Sequence, residues 1–214
     1  MGGTRKNSIL GALARANAPL ALTLTLAATL SFTNGAFAGW QEQASRADVA
    51  RLAQLPQIRA AALEESRRGR GEGDAGVIGH VLNPEGRAIP ERALAGTWRC
   101  RQLKLGGMES YMVYSAWFSC SIRPHNGGLV LQKMNGTQRF MGTLYPEAGA
   151  WVYLGASSAK GEPLHAYSGA FASVGASVTP DDQIGLLTGI GDNHLRLEIP
   201  AVQESLLDVV EFKR

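Results

Sequence analysis

From residue 94 onward the chain alternates with a two-residue period, broken at intervals by turn signals. In the first such segment Trp98, Cys100, Gln102 and Lys104 fall on one side and Thr97, Arg99, Arg101 and Leu103 on the other. That period places alternate side chains on opposite faces of a strand. Gly106-Gly107 begins a turn, and Met112 to Ile122, rich in aromatic and β-branched residues, reads as the returning strand. Asn126-Gly127-Gly128 turns the chain again before Leu129 to Met134. Asn135-Gly136 is a two-residue hairpin signal leading into Thr137 to Tyr145. Trp151 to Leu154, Tyr167 to Val174, Ile184 to Ile190, His194 to Ile199 and Ser205 to Phe212 read as further extended segments. Turns at roughly 8–12-residue spacing predict a mainly β fold, an antiparallel barrel or sandwich of eight or nine strands over residues 94–214.

Residues 39–93 follow another pattern. Ser45 with Asp48 three residues on is a variant of the capping box, and Val49, Leu52 and Leu55 keep helical spacing. Pro56 interrupts, and a second helix is expected from Gln57 to Arg68, with Glu64 and Arg68 spaced to pair. The run Gly69–Gly76 contains Gly71-x-Gly73-x-x-Gly76, a formal match to a dinucleotide fingerprint. It follows a helix rather than a strand and lacks a βαβ unit, so it reads as a flexible linker. Asp74 is placed to cap a short helix through Val77, Ile78 and Val81, ended by Asn83-Pro84. These are expected to be packing helices; Arg67, Arg68 and Arg70 alone favour a membrane-surface role.

The first 38 residues read as a cleaved, Sec-type export signal. Arg5, Lys6 and Arg15 form a basic start, Ala18 to Phe32 is largely apolar, and Ala36-Phe37-Ala38 supplies a small-x-small cleavage site. The apolar run falls short of the roughly 20 residues of a membrane span; an uncleaved anchor is the alternative. No twin arginine points to Tat export, and no cysteine follows the cleavage site to carry a lipid. Periplasmic localisation follows, with no stable membrane span after cleavage.

Removing that segment changes the charge. Three of the 21 Lys and Arg lie in it and no Asp or Glu does, leaving 18 basic against 18 acidic residues. The basic character of the whole chain therefore carries no nucleic-acid footprint. The remaining 214 − 38 = 176 residues suffice for one domain with its own core.

Two cysteines in an exported chain favour a disulfide between Cys100 and Cys120, with two buried thiols as the alternative. His80, His125, His165 and His194 are scattered without HExxH or HxH spacing, so they read as surface histidines and no metal is expected. Neither a G-x-S-x-G elbow nor a Walker A loop occurs, and no cofactor is expected. The best polar constellation is Arg99, Arg101, Arg123, Arg139, Glu204 and Asp208. Glu204, Leu206 and Asp208 are expected on one face of the last strand. If that face turns inward, neighbouring arginines must neutralise it. A structural network, a polar ligand site and paired carboxylates for acid/base work all remain open.

The segments WRCRQLKLG, YSAWFSCSI, KMNGTQRFMGTLYP, VYLGA and LRLEIPAVQESLLDVVEF resemble a bacterial exported family, domain of unknown function 4893. The likeness covers most of the chain after residue 38, including Asp48-x-x-Arg51-Leu52; Thr137 stands where the family is expected to have serine. It implies a family and no activity. Gly96-Thr97-Trp98 is also similar to the G-x-W opening of lipocalin-type barrels, whose tryptophan has a basic companion from the last strand; Lys213 and Arg214 are the available candidates. The expected protein is an exported, non-enzymatic, lipocalin-like barrel that binds a small molecule or an envelope partner. A periplasmic hydrolase using Glu204 and Asp208 is the second expectation, and a structural, assembly or inhibitor-like module the third.

Overall fold

Alternation in the first β segment produces strand β1 (Gly96–Leu105), and every later strand builds outward from it. The structure is a computed structural model describing residues 39–69, 72–108, 110–126, 128–169, 179–201 and 203–214. The expected export signal, and residues 170–174 of the expected segment Tyr167 to Val174, lie outside these.

Nine strands are antiparallel neighbours: β1, β2 (Tyr111–Val113), β3 (Phe118–His125), β4 (Gly128–Lys133), β5 (Gln138–Glu147), β6 (Ala150–Ala159), β7 (Asp182–Gly191), β8 (His194–Pro200) and β9 (Leu207–Lys213). β9 pairs back onto β1 from Arg99↔Lys213 to Leu105↔Leu207. That pairing closes β1 and β3–β9 into an eight-stranded barrel, with β2 as an extra strand beside the end of β1. The expected single strand Met112 to Ile122 is split in two. Between the pairs Leu103↔Val113 and Cys100↔Phe118, β1 advances 103 − 100 = 3 positions while the returning chain advances 118 − 113 = 5. The excess bulges out of the ladder, and Trp117 ends up among outward-facing Arg99, Arg101 and Lys213, 5.0, 4.7 and 5.6 Å from their cationic groups.

Inside the barrel, Trp98, Cys100, Cys120, Ile122, Leu131, Phe140, Leu144, Tyr153, Leu197 and Phe212 form the core. The register pairs Trp98 with Cys120 and Cys100 with Phe118, so the two cysteines are diagonal neighbours. They form the disulfide, with Cα atoms 5.9 Å apart.

One end of the barrel is sealed. Helix α5 (Glu91–Leu94) delivers Leu94 beneath the Trp98 indole, which donates to the Leu94 carbonyl at 2.8 Å. Trp151 donates likewise to Ile89 at 3.0 Å. Arg214 lies over the Trp98 ring and donates to the carbonyls of Ala95 (2.7 Å) and Leu94 (3.2 Å). The basic companion expected for a G-x-W opening is thus present.

The preceding helices are α1 (Trp40–Gln43), α2 (Arg46–Ala53), α3 (Leu55–Arg67) and α4 (Glu72–Leu82). Ser45 caps α2, accepting from Asp48 N at 3.1 Å. Pro56 sits in the first turn of α3, where its missing N–H costs nothing, so α3 starts before it. Glu64 pairs with Arg67 at 3.0 Å, three residues on, rather than with Arg68. α4 begins at Glu72, so the second half of the glycine-rich run is helical rather than linker, and Asp74 lies within the helix instead of capping it. Its apolar face explains this: Ile78, Val81 and Leu82 are buried with Leu55 and Ala62 of α3 against outward-facing Leu103, Leu105, Leu207 and Val209. Packing here overrides the helix-weakening glycines.

Polar anchors fix that layer. Arg196 of β8, almost fully buried, donates to the carbonyls of Val81 (3.1 Å), Leu82 (3.3 Å) and Pro84 (3.0 Å), satisfying the open end of α4. Its Nε lies 2.8 Å from Glu198, also buried, and Arg59 of α3 reaches Glu198 at 3.4 Å. Among the described residues, no helix is long and apolar enough to cross a membrane.

Candidate ligand site at the barrel mouth

Opposite the sealed end, where β1 and β6 finish and β5 and β9 start, the barrel opens into a cavity of about 320 Å³. The inward faces change character there. Along β1 they run Trp98, Cys100, Gln102, and along β9, read back towards its start, Phe212, Val210, Asp208. Apolar residues fill the sealed half and polar ones line the mouth.

Behind the cavity lining lies Tyr153, packed against Phe140, which borders the cavity. Its ring is fully buried and meets Phe140 edge-on at 6.1 Å. A side chain at Gly142 or Gly155 would collide with it. The two glycines face each other in the register, so together they leave the space in which the tyrosine lies flat against the wall. The Tyr153 hydroxyl lies over Gly155, whose partner on β7 is Gln183, a residue lining the cavity. Among the described residues neither the Tyr153 hydroxyl nor Gln183 Oε1 has a hydrogen-bond partner, and both are buried.

One wall carries a coupled set of charges. Asp208 accepts from Ser205 Oγ at 2.5 Å and, more weakly, from Gln102 Nε2 at 3.5 Å. Burial pushes its carboxyl above the usual range, against the Ser205 hydrogen bond and the Lys104 charge. Glu204 is exposed and accepts from Lys104, which holds its pKa below the ordinary value. Burial works against the Lys104 charge, but the Glu204 hydrogen bond and the two acidic charges outweigh it and raise its pKa.

The six residues singled out from sequence divide. Glu204, Asp208 and Arg139 all border the mouth. β9 starts at Leu207, so Glu204 lies in the turn before it and Leu206 packs under the helices; Asp208 alone points inward. Arg139 stands on the rim, donating to the carbonyls of Ala159 (3.1 Å) and Glu162. A lysine rather than an arginine pairs with Glu204, and Asp208 is held by Ser205 and Gln102. Arg99 and Arg101 are outside the barrel around Trp117, and Arg101 pairs with the fully buried Glu211 at 2.6 Å. Arg123 lies on an outer groove of about 510 Å³ that also includes Met141, Tyr145 and Tyr167.

Tyr153, Gln183 and Ser205 were not among those six. Tyr153 carries a sequence signal, alternating with Trp151 on the inward face of β6. For Gln183 no local pattern marks the residue; only the register with Gly155 places it at the mouth.

A family model described as Domain of unknown function (DUF4893) matches residues 40–212. No curated protein matches the chain, and no solved structure does.

Proposed function

This chain belongs to the DUF4893 family, and from that premise we propose that it is an exported, periplasmic barrel that binds a small polar molecule in its open mouth without transforming it. Export rests on the basic start, apolar run and Ala36-Phe37-Ala38 site. Binding rests on one observation above the others: Gln183 Oε1, on the cavity lining, and the Tyr153 hydroxyl, just behind it at Gly155, are buried with no partner among the described residues. An unsatisfied buried polar group costs about 1–3 kcal/mol. A ligand carrying a donor for Gln183 and a donor or acceptor for Tyr153 offsets that cost as it binds. The cavity volume, about 320 Å³, lies at the small end of the roughly 300–1,000 Å³ of ligand pockets.

Native mass spectrometry of gently purified, periplasmically expressed protein tests this. A reproducible non-covalent mass increment that Tyr153→Phe weakens is the expected result. A bare chain under all conditions, with no small polar molecule retained, would move the protein to envelope-partner binding or an assembly role.

A second reading has its own support. Glu204 and Asp208 share the mouth, and their environments push their pKa values apart, down for Glu204 and up for Asp208. Such separation suits a base and an acid in one hydrolytic site. Turnover of chromogenic esters or glycosides, lost in both Glu204→Gln and Asp208→Asn, would favour this reading over a non-catalytic carrier.

A further inference from the structure

The sequence places its histidines far apart, but the fold brings two of them to one carboxylate. His80 lies in the last turn of α4, His194 opens β8, and Glu211 is on the outer face of β9. One ligand atom from each lies within 4.8 Å of the other two. The imidazoles stack with centroids 5.3 Å apart. Glu211 is fully buried, His194 is partly buried and His80 is exposed, so the cluster opens to solvent on the His80 side.

The arrangement is held rigidly. Arg196 bonds three carbonyls at the end of α4, fixing the turn that carries His80 against the strand that carries His194. The register pairs Arg196 with Glu211 and His194 with Lys213, so His194 and Glu211 are diagonal neighbours on one face. Each Glu211 oxygen has a different environment. Oε2 accepts from Arg101 Nε at 2.6 Å. Oε1 lies 2.8 Å from His194 Nε2 and 3.0 Å from the Lys213 ammonium.

We propose that His80, His194 and Glu211 form a site for a zinc-class divalent cation, in which the metal takes the place of the Lys213 ammonium beside Oε1. Two imidazoles and one carboxylate, with a fourth position open to water, are a donor set suited to zinc. Two nitrogen donors of three disfavour magnesium and calcium, which take oxygen ligands. Arg101 stays on Oε2 as the outer hydrogen bond that orients the ligating carboxylate. Lys213 is the obstacle, because its charge repels an incoming cation. Its side chain is about one-third exposed, so it swings into solvent as the metal enters. The site is separate from the barrel mouth and does not depend on what the mouth binds.

Zinc titration calorimetry and elemental analysis after dialysis, on protein without an affinity tag, test the proposal. The wild type should take up one zinc per chain, with excess magnesium failing to compete. His80→Ala should lose at least tenfold in affinity; His80 is exposed, so its loss leaves the fold intact. Lys213→Met should bind more tightly than the wild type. Absence of stoichiometric uptake by the wild type, or equal affinity in His80→Ala, would overturn the site, as would uptake by Lys213→Met alone.

Discussion

The guanidinium carbon of Arg214 lies 4.0 Å from the centre of the Trp98 indole, joining the chain's last residue to the start of β1 across the sealed end of the barrel. The contact also carries two hydrogen bonds to the carbonyls of Leu94 and Ala95. A cation over an aromatic ring contributes about 0.5–2 kcal/mol, and each hydrogen bond about 0.5–1.5 kcal/mol net. Arg214→Ala should therefore lower the urea midpoint by an amount worth about 1–3 kcal/mol at unchanged slope. Arg214→Lys should recover only part of this, since a point charge does not fork across two carbonyls. An unchanged midpoint in Arg214→Ala would show that the seal does not depend on this stack.

Tyr153 offers a change that separates stability from binding. Phenylalanine keeps the ring over Gly142 and Gly155 and removes the buried hydroxyl, which has no partner among the described residues. Tyr153→Phe is expected to be about 1–2 kcal/mol more stable than the wild type without ligand and to weaken the ligand's mass increment. Gly155→Ala drives a methyl into the tyrosine and should cost about 1–3 kcal/mol. If Tyr153→Phe proves less stable, the hydroxyl has a partner in the free protein and the binding argument fails.

Lys133 makes stability rise with pH on the alkaline side. It faces inward opposite Cys120, nine-tenths or more buried, with its ammonium 4.3 Å from the Phe118 ring. Burial lowers its pKa from 10.5 to about 8. Below about pH 8 both folded and unfolded chains hold the proton, and the burial penalty stands in full. Between about 8 and 10.5 the unfolded chain holds more protons than the folded one, so stability rises with pH, and above 10.5 the penalty is gone. Lys133→Met should be about 2–3 kcal/mol more stable than the wild type at pH 7, with most of that difference gone by pH 10.5. Urea unfolding at both pH values checks this, and a gap independent of pH would sink it.

Much of the barrel was legible because a strand's two faces differ in chemistry. Trp98, Cys100 and Gln102 alternate with Thr97, Arg99 and Arg101, and the inward set is the one the sequence separates out. Cys100 and Cys120 were legible as a pair for the same reason. Long-range register was not. His194, Arg196 and Glu198 form one polar face in the sequence, yet nothing local says that α3 and α4 cover it. The arginine site dispersed because alternation assigns faces without saying which face points inward: Arg99 and Arg101 share a face that lies outside. Lys104, inconspicuous as one more charge on β1, is the residue that neutralises Glu204.

The Cys100–Cys120 bond closes a loop of sequence separation 20 between two adjacent strands. In the chain-entropy account such a crosslink destabilises the unfolded state by about 3 kcal/mol. The double variant Cys100→Ala/Cys120→Ala should lose about that much and more, because it also removes two fully buried sulfurs from the core. Reduction of the wild type isolates the crosslink from the packing. Equal losses by the two routes would mean that the sulfurs contribute no packing of their own.

Arg196 and Glu198 should respond very unequally to removal, although they are partners in one buried ion pair. Arg196 also holds three carbonyls at the end of α4, whereas Glu198 has Arg59 as its second cation at 3.4 Å. Glu198→Gln leaves a guanidinium still hydrogen-bonded, and should cost about 1–2 kcal/mol. Arg196→Leu leaves the buried Glu198 with Arg59 alone, at 3.4 Å, and removes three hydrogen bonds from the helix end at once, and should cost about 3–5 kcal/mol. Adding Glu198→Leu to Arg196→Leu removes a buried charge left with one partially exposed cation, so the double variant should be more stable than Arg196→Leu alone. A double-mutant cycle measured by urea unfolding reads the coupling directly. Additive losses would mean that Arg196 acts solely as a clamp on α4. The clamp also matters to the metal: in the Arg196→Leu/Glu198→Leu double variant the end of α4 loses the three Arg196 hydrogen bonds and keeps only that from Arg59 to the Leu82 carbonyl, so zinc affinity should fall although all three ligands remain.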